Sequence, residues 1–399
     1  MEGHPEVHID LDAITANAAA LVAHVGGARL MAVVKSDGYG HGLLPTATAA
    51  LAGGASWLGV VRLTDALALR AAGVTVPVLC LIGARDVAHG EAIGADIDLT
   101  VGSATLVRQI AAAARRAGRP ARLHLEADTG MCRGGATAAD WPGVVREARA
   151  AEAAGHARIV GIWSHFACAD IPGHPSIAAQ LAGFRAAVEL AEQVGARPEV
   201  RHMANTPATL TLPESWFDLV RPGGAIVGLS TLPGGAPGWL RPAMTVRARL
   251  VETRRVPAGS GVSYGHRYVT SGPATLGVFP LGYNEGVPRL ASNTAQVSVR
   301  GHRFTIAGTV NMNQTIIDFG DLPAEPGDEV IVFGPGDAGE PTAQEWADAL
   351  GTISYEIVTR FTGKIPRSYS EVTSGQDRAQ QDRAQAVDGR TNGQVAAAY

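Results

Sequence analysis

The chain has 399 residues, 46% of them hydrophobic, and 33 Lys+Arg against 37 Asp+Glu give a formal net charge of −4. That length exceeds what one small core organises, so two domains are expected, and the mild acidity gives no electrostatic basis for binding nucleic acid or an anionic membrane. There is no apolar run of bilayer length and no signal-peptide pattern in the first residues, and Cys80, Cys132 and Cys168 lack metal-ligand spacing; a cytoplasmic protein with free thiols and no bound metal is expected.

In chain order, short β-rich runs fall at 31–35, 57–61, 77–82, 97–101, 122–127, 159–165, 199–204 and 217–221. Stretches with apolar residues at three- and four-residue spacing lie between several of them, at 64–72, 104–117 and 177–194, and read as helices. The runs are dominated by Val, Ile, Leu and Ala, as in strands covered on both faces. Eight strands with crossovers fit an α/β fold of the (β/α)8 TIM-type barrel, with an open doubly wound sheet as the alternative. The segment 230–239 is rich in Gly and Pro and reads as a linker. Beyond it, β-type runs at 244–252, 274–280, 295–299, 304–306, 315–319 and 329–333, with one helix at 342–349, indicate a smaller, mostly β domain. The expected division is a barrel over 1–238, a β domain over 239–371 and a polar, disordered tail over 372–399, where Gln-Asp-Arg-Ala-Gln occurs twice in succession.

Lysine usage singles out one residue. The chain has two lysines, Lys35 and Lys364, and uses arginine everywhere else. Arginine is too basic to deprotonate and cannot supply a primary amine. Lys35 follows the apolar run Met31-Ala32-Val33-Val34 directly, where a lysine is seldom placed without a reason. Lys364 has no role beyond a solvated charge.

In such a barrel the chemistry lies at the C-terminal ends of the strands. Those ends carry Lys35 and Tyr39; Glu126, Asp128 and Arg133; Ser164-His165; Asn205-Thr206; and Arg221 followed by Gly223-Gly224. The two glycines allow backbone N–H groups to approach a ligand, and Asn205 and Thr206 add side-chain donors. A glycine pair alone usually marks a turn. Beside a solitary amine, an arginine and a tyrosine, it suggests a phosphorylated aldehyde, with pyridoxal 5′-phosphate bound through Lys35.

The run Val34-Lys35-Ser36-Asp37-Gly38-Tyr39-Gly40-His41-Gly42 resembles the cofactor-lysine motif of alanine racemases. Further blocks resemble that family in order: Asp128–Arg133, Ser164–Ala167, Val220–Gly223, Val262–Gly265 and Ile353–Glu356. The resemblance covers roughly residues 7–370. It implies a barrel, a β domain and a head-to-tail homodimer, with each active site built from the barrel of one subunit and the β domain of the other. It also implies racemisation of alanine by two bases, Lys35 on one face and Tyr264 of the partner subunit on the other. A phenol near pKa 10 needs cations to serve as a base, and His165 and Arg221 are the expected ones. Arg221 is expected to face the cofactor's pyridine nitrogen. Arg133 is assigned to the cofactor phenolate and the substrate carboxylate, Tyr39 and Tyr355 to the phosphate, and the Met312 N–H to the carboxylate from the partner.

The chain departs from the family pattern in three places. Glu126 stands where relatives often carry a carbamylated lysine, and is expected to pair with Arg133. Asn311-Met312-Asn313-Gln314 replaces Cys-Met-Asp-Gln, and Tyr283-Asn284-Glu285-Gly286 replaces Tyr-Ala-Asp-Gly. These departures leave a racemase of serine or of a broader set of small amino acids as an alternative. A PLP-dependent decarboxylase, which would carry a differently organised β domain without the Tyr264 block, and a non-catalytic PLP-binding protein, which would not need residues 244–370, are the others.

Overall fold

The computed structural model describes residues 5–83 and 88–370. Its first strand is β1 (Glu6–Ile9), followed by the helix Leu11–Val25, whose first turn is capped by Asp10: the carboxylate accepts the Ala13 N–H at 2.9 Å. Eight strands then run parallel: β2 (Arg29–Val33), β3 (Trp57–Val60), β4 (Val78–Cys80), β5 (Asp98–Val101), β6 (Ala121–Glu126), β7 (Ala157–Trp163), β8 (Val200–His202) and β9 (Leu219–Val220). They pair in sequence order from β2 to β8, and β9 pairs with β2. The Asp218 N–H to Arg201 carbonyl bond (3.1 Å) and the Arg221 N–H to Ala204 carbonyl bond (2.9 Å) join β9 to the end of β8 and close the ring. Sequential pairing without a reversal is the mark of a barrel rather than a doubly wound sheet.

Each helical stretch read from the sequence forms a helix, at Leu63–Ala71, Ala104–Ala117 and Pro175–Gln193. Inside the ring, Met31, Val33, Trp57, Leu79, Val160, Val200 and Leu219 form an apolar cluster separate from the layer between strands and helices. The barrel core therefore has two parts, and the inner one gives way to polar groups toward the strand ends.

The remaining strands are β10 (Met244–Arg249), β11 (Glu252–Val256), β12 (Gly261–Val262), β13 (Tyr268–Val269), β14 (Ala274–Phe279), β15 (Gln296–Val299), β16 (His302–Thr305), β17 (Thr315–Asp318), β18 (Glu329–Phe333) and β19 (Arg367–Tyr369). They form a six-stranded sheet in the order β16-β15-β18-β10-β1-β19, a three-stranded sheet β11-β14-β17 and the pair β12-β13. The run expected as one strand over 244–252 is two: at Leu250 and Val251 the backbone passes from bonding Asp328 to bonding Val278, which moves the chain from one sheet to the other. β1, which the sequence assigns to the barrel segment, pairs instead with β10 and β19. Its alternating burial, with Val7 and Ile9 fully buried, suits a strand covered on one face by that sheet's core. The expected tail, 372–399, lies outside the described residues.

Candidate active site

A cavity of about 620 Å³ opens at the C-terminal ends of the barrel strands. It is lined by Lys35, Tyr39, Glu126, Arg133, His165, Asn205, Thr206, Arg221, Gly223 and Tyr355, together with an apolar side formed by Val61, Leu81 and Leu106. Residues up to 320 positions apart in sequence are gathered here: most sit at or just beyond a strand end, and Tyr355 comes from the short helix Ser354–Val358.

The segment after Lys35 is a left-handed turn. Ser36, Asp37, Gly38 and Tyr39 have φ between 54° and 62° and the first three have ψ between 40° and 48°. Each non-glycine residue in that region costs roughly 1–2 kcal/mol. The surroundings hold it there. Asp37 accepts the Leu43 N–H at 2.8 Å and pairs with Arg367 of β19 at 2.6 Å, and the Gly42 N–H reaches the Asp37 carbonyl at 2.8 Å. The turn fixes Lys35 at the cavity floor and turns Tyr39 back toward Gly223. Burial, and then the charge of Arg133, hold the Lys35 amine below the ordinary lysine pKa.

Tyr39 and Tyr355 meet edge to face with ring centres 5.4 Å apart. A Cβ on Gly223 would stand 2.2 Å from the Tyr39 hydroxyl, and one on Gly224 would stand 2.2 Å from that of Tyr355. Both phenols therefore converge on a bare stretch of backbone. The Thr206 hydroxyl accepts the N–H groups of Gly223 (3.0 Å) and Ala225 (3.4 Å), and Asn205 caps the short helix Thr206–Thr211. The buried Tyr355 hydroxyl has no hydrogen bond of proper geometry, only the Thr206 hydroxyl close by. A buried orphan hydroxyl over a glycine cradle fits a phosphate. With the amine of Lys35 in the same cavity, the residues present fit pyridoxal phosphate.

Arg221 is buried and donates in four directions: to His202 Nδ1 (3.0 Å), the Ser164 carbonyl (2.8 Å), the Met203 carbonyl (3.3 Å) and His165 Nδ1 (3.2 Å). Its guanidinium lies 4.8 Å from the Trp163 ring centre. Burial lowers its pKa to about 9, with Glu126 opposing that shift. His165 does not serve as a cation: burial, and then Arg221, Arg133 and Lys35, hold it well below the ordinary imidazole pKa. Burial and these neighbours favour the neutral imidazole, against the expectation of His165 as a second cation beside Arg221.

Glu126 lies in the cavity with Arg133 and Arg221 but forms no ion pair with either. Burial pushes its carboxyl up to about 7 against the lowering influence of both arginines. Asp128 shapes the loop carrying Arg133 by accepting the N–H groups of Gly130, Met131 and Cys132.

Tyr264 and Met312 do not line this cavity. They are 72% and 56% exposed on the β domain, with Tyr283 at 45% nearby in the same set of loops. Asn311 ties these loops together: its Oδ1 lies 2.8 Å from the Ser263 hydroxyl and its carbonyl accepts the Tyr283 N–H at 3.0 Å. The negative charge absent at Asn313 is present at Glu285, which accepts from Asn313 at 2.6 Å, Asn284 at 2.8 Å and the Gly282 N–H at 2.9 Å. Lys364 is not merely solvated; its Nζ bonds Asn284 Oδ1 at 2.8 Å.

Several supporting residues were not singled out from the sequence. Gln180 bonds the Ala167 N–H and the His165 carbonyl, both at 2.9 Å, and so fixes the loop after β7. His202, His124 and Asp98 lie under Arg221 inside the barrel. A signal for them exists: Arg122, His124 and Glu126 alternate along β6 and therefore share its inward face.

Residues 9–231 match the family model for the alanine racemase N-terminal domain, and 243–369 match that for the C-terminal domain. An alanine racemase from Frankia casuarinae is 55% identical over 90% of this chain and 95% of that protein. One from Thermobifida fusca is 53% identical over 93% and 99%. Among solved structures, the alanine racemase from Streptomyces coelicolor A3(2) superposes with a TM-score of 0.91 at 51% identity, covering 92% of this chain and 98% of that one. The alanine racemase from D-cycloserine-producing Streptomyces lavendulae gives 0.90 at 48% identity, covering 93% and 98%.

Proposed function

This chain belongs to the alanine racemase family, and on that premise we propose how its residues carry out the reaction. It is an isomerase that interconverts L- and D-alanine; its relatives do not favour the serine or broader-substrate alternative. The observation that carries the cofactor reading is the convergence of the Lys35 amine, the Arg221 guanidinium and the Tyr39–Tyr355–Gly223–Gly224 cradle on one cavity.

Tyr39, Tyr355 and Thr206 and the N–H groups around Gly223 and Gly224 would hold the phosphate of pyridoxal 5′-phosphate, with Asn205 ordering the adjoining turn. Arg221 would front the ring nitrogen and, as a guanidinium that donates without accepting, would leave that nitrogen unprotonated. When bound, the cofactor supplies an electron sink that acidifies the substrate Cα–H. Lys35, whose amine is held below its ordinary pKa, takes or returns the Cα proton on one face. Tyr264 of the partner subunit serves the other face, beside a neutral His165 that bonds Arg221. Arg133 and the Met312 N–H of the partner subunit bind the substrate carboxylate, and Glu126 adjusts the charge around Arg133. Exposure of Tyr264 and Met312 in the single chain supports a head-to-tail homodimer.

No helix among the described residues is long and apolar enough to cross a membrane. Cys80, Cys132 and Cys168 are free thiols, which supports a cytoplasmic location. The test is to incubate the protein with pyridoxal phosphate and L-alanine while following absorbance in the Schiff-base band and formation of D-alanine. Both signals are expected. Bound cofactor with no racemisation of alanine would overturn the mechanism.

A further inference from the structure

Beneath the cavity, a line of buried polar groups crosses the barrel interior. Asp98 on β5, His124 on β6 and His202 on β8 are fully buried, and Arg221 is 4% exposed. His124 Nε2 lies 3.0 Å from Asp98 Oδ2, His124 Nδ1 lies 2.9 Å from His202 Nε2, and His202 Nδ1 lies 3.0 Å from Arg221 Nη1. At the far end, Arg122 bonds both carboxylate oxygens of Asp98.

Donor and acceptor chemistry gives this line a single direction. A guanidinium cannot accept a hydrogen bond, so His202 Nδ1 must be proton-free. His202 then carries its proton on Nε2 and donates to His124 Nδ1, which must also be proton-free. His124 therefore carries its proton on Nε2 and needs an acceptor there, and an ionised carboxylate accepts without donating. Asp98 supplies it. Burial alone would raise the Asp98 pKa, but the hydrogen bond from His124 and the charge-assisted bonds from Arg122 hold it below the ordinary value. His202 is held well below the ordinary imidazole pKa by burial and then by Arg221.

The barrel is also shaped around this line. The pairing register of β6 with β7 shifts between Leu123 and His124, and a Cβ on Gly161 of β7 would stand 2.3 Å from His124 Nδ1. A local irregularity and a glycine both make room for one imidazole. Trp57 packs on His124 edge to face at 5.5 Å, and Trp163 lies parallel to His202 at 5.9 Å.

We propose that Asp98 is a positioning residue for Arg221, acting through His124 and His202 to fix both imidazole tautomers and hence the direction in which the guanidinium donates. The inference rests on the reading that Arg221 fronts the cofactor ring. An Asp98→Asn variant keeps the shape but cannot keep the order. Its amide oxygen is claimed by Arg122, its N–H₂ turns to His124, and the reversal runs up the line until His202 and Arg221 meet donor to donor.

The test is ¹⁵N-histidine NMR of the holoenzyme, with His124 and His202 assigned by His→Gln substitution. In the wild type both should carry the proton on Nε2. In Asp98→Asn the Nε2–H pattern should be lost, with kcat reduced roughly 10- to 100-fold, as when a group that orients another is removed, and KM changed less than about threefold. An Nδ1 proton on His202 in the wild type overturns the proposal even if the variant does not fold. So does a folded Asp98→Asn protein with unchanged tautomers. A wild type with the wrong tautomer that still racemises alanine rejects only this inference. Correct tautomers without racemisation reject the functional reading instead.

Discussion

Glu126 and Lys35 occupy one cavity and are shifted by the same burial toward their neutral forms. For Glu126 the consequence for stability has a definite sign. Its folded-state pKa of about 7 lies above the ordinary 4.5, so the folded protein binds the proton more tightly than the unfolded chain does. That contribution is fully present below the ordinary value and is lost as pH rises through the folded one. Glu126→Gln, which stays neutral, should gain on the wild type by about 3 kcal/mol between pH 4.5 and 8 in denaturation of the cofactor-free protein. A difference independent of pH would contradict the shift. Lys35→Arg keeps a positive charge but loses the amine. It should abolish the Schiff-base absorbance and lower kcat/KM by roughly 10,000-fold or more; a variant with either signal intact would remove Lys35 from its role. Lys35 was legible in the sequence because lysine is scarce and follows an apolar run. The lowered basicity of His165 was not, because it depends on burial and on the neighbouring Arg221, Arg133 and Lys35, which only the fold assembles.

At the scale of elements, the barrel was readable because buried parallel strands have a simple apolar signature, while the left-handed turn at 36–39 has none. Two of its four residues, Ser36 and Tyr39, are not types that favour positive φ, and tertiary contacts decide their conformation. β1 was missed as part of the C-terminal sheet because pairing with β10 and β19 joins segments more than 230 residues apart. The Gly223–Gly224 cradle gives the prediction at this scale. In Gly224→Ala the new methyl would meet the Tyr355 ring and hydroxyl 2.2–2.3 Å away, so the phenol would have to shift from its place over the cradle. Such overpacking costs about 1–3 kcal/mol. The variant should melt at a lower temperature and bind pyridoxal phosphate more weakly in fluorescence titration; unchanged affinity would argue against a phosphate seated there.

For the whole molecule, the two units divide the labour. The barrel gathers the amine, the cradle and the guanidinium. The β domain carries Tyr264 and Met312 outward, on loops fastened by Asn311, Glu285 and Lys364. The sequence alone pointed to this division only through the resemblance of its blocks, since no periodicity shows that two residues act across a subunit boundary. In sedimentation the protein should behave as a dimer at micromolar concentration; a monomer with full activity would refute the shared site. The most direct test mixes two inactive variants, Lys35→Ala and Tyr264→Phe, under conditions that exchange subunits. In a head-to-tail dimer, half the molecules formed from an equal mixture are hybrids, each with one intact site, so about a quarter of wild-type racemase activity should return. Activity that stays at the level of the separate variants would contradict a site made from Lys35 of one subunit and Tyr264 of the other.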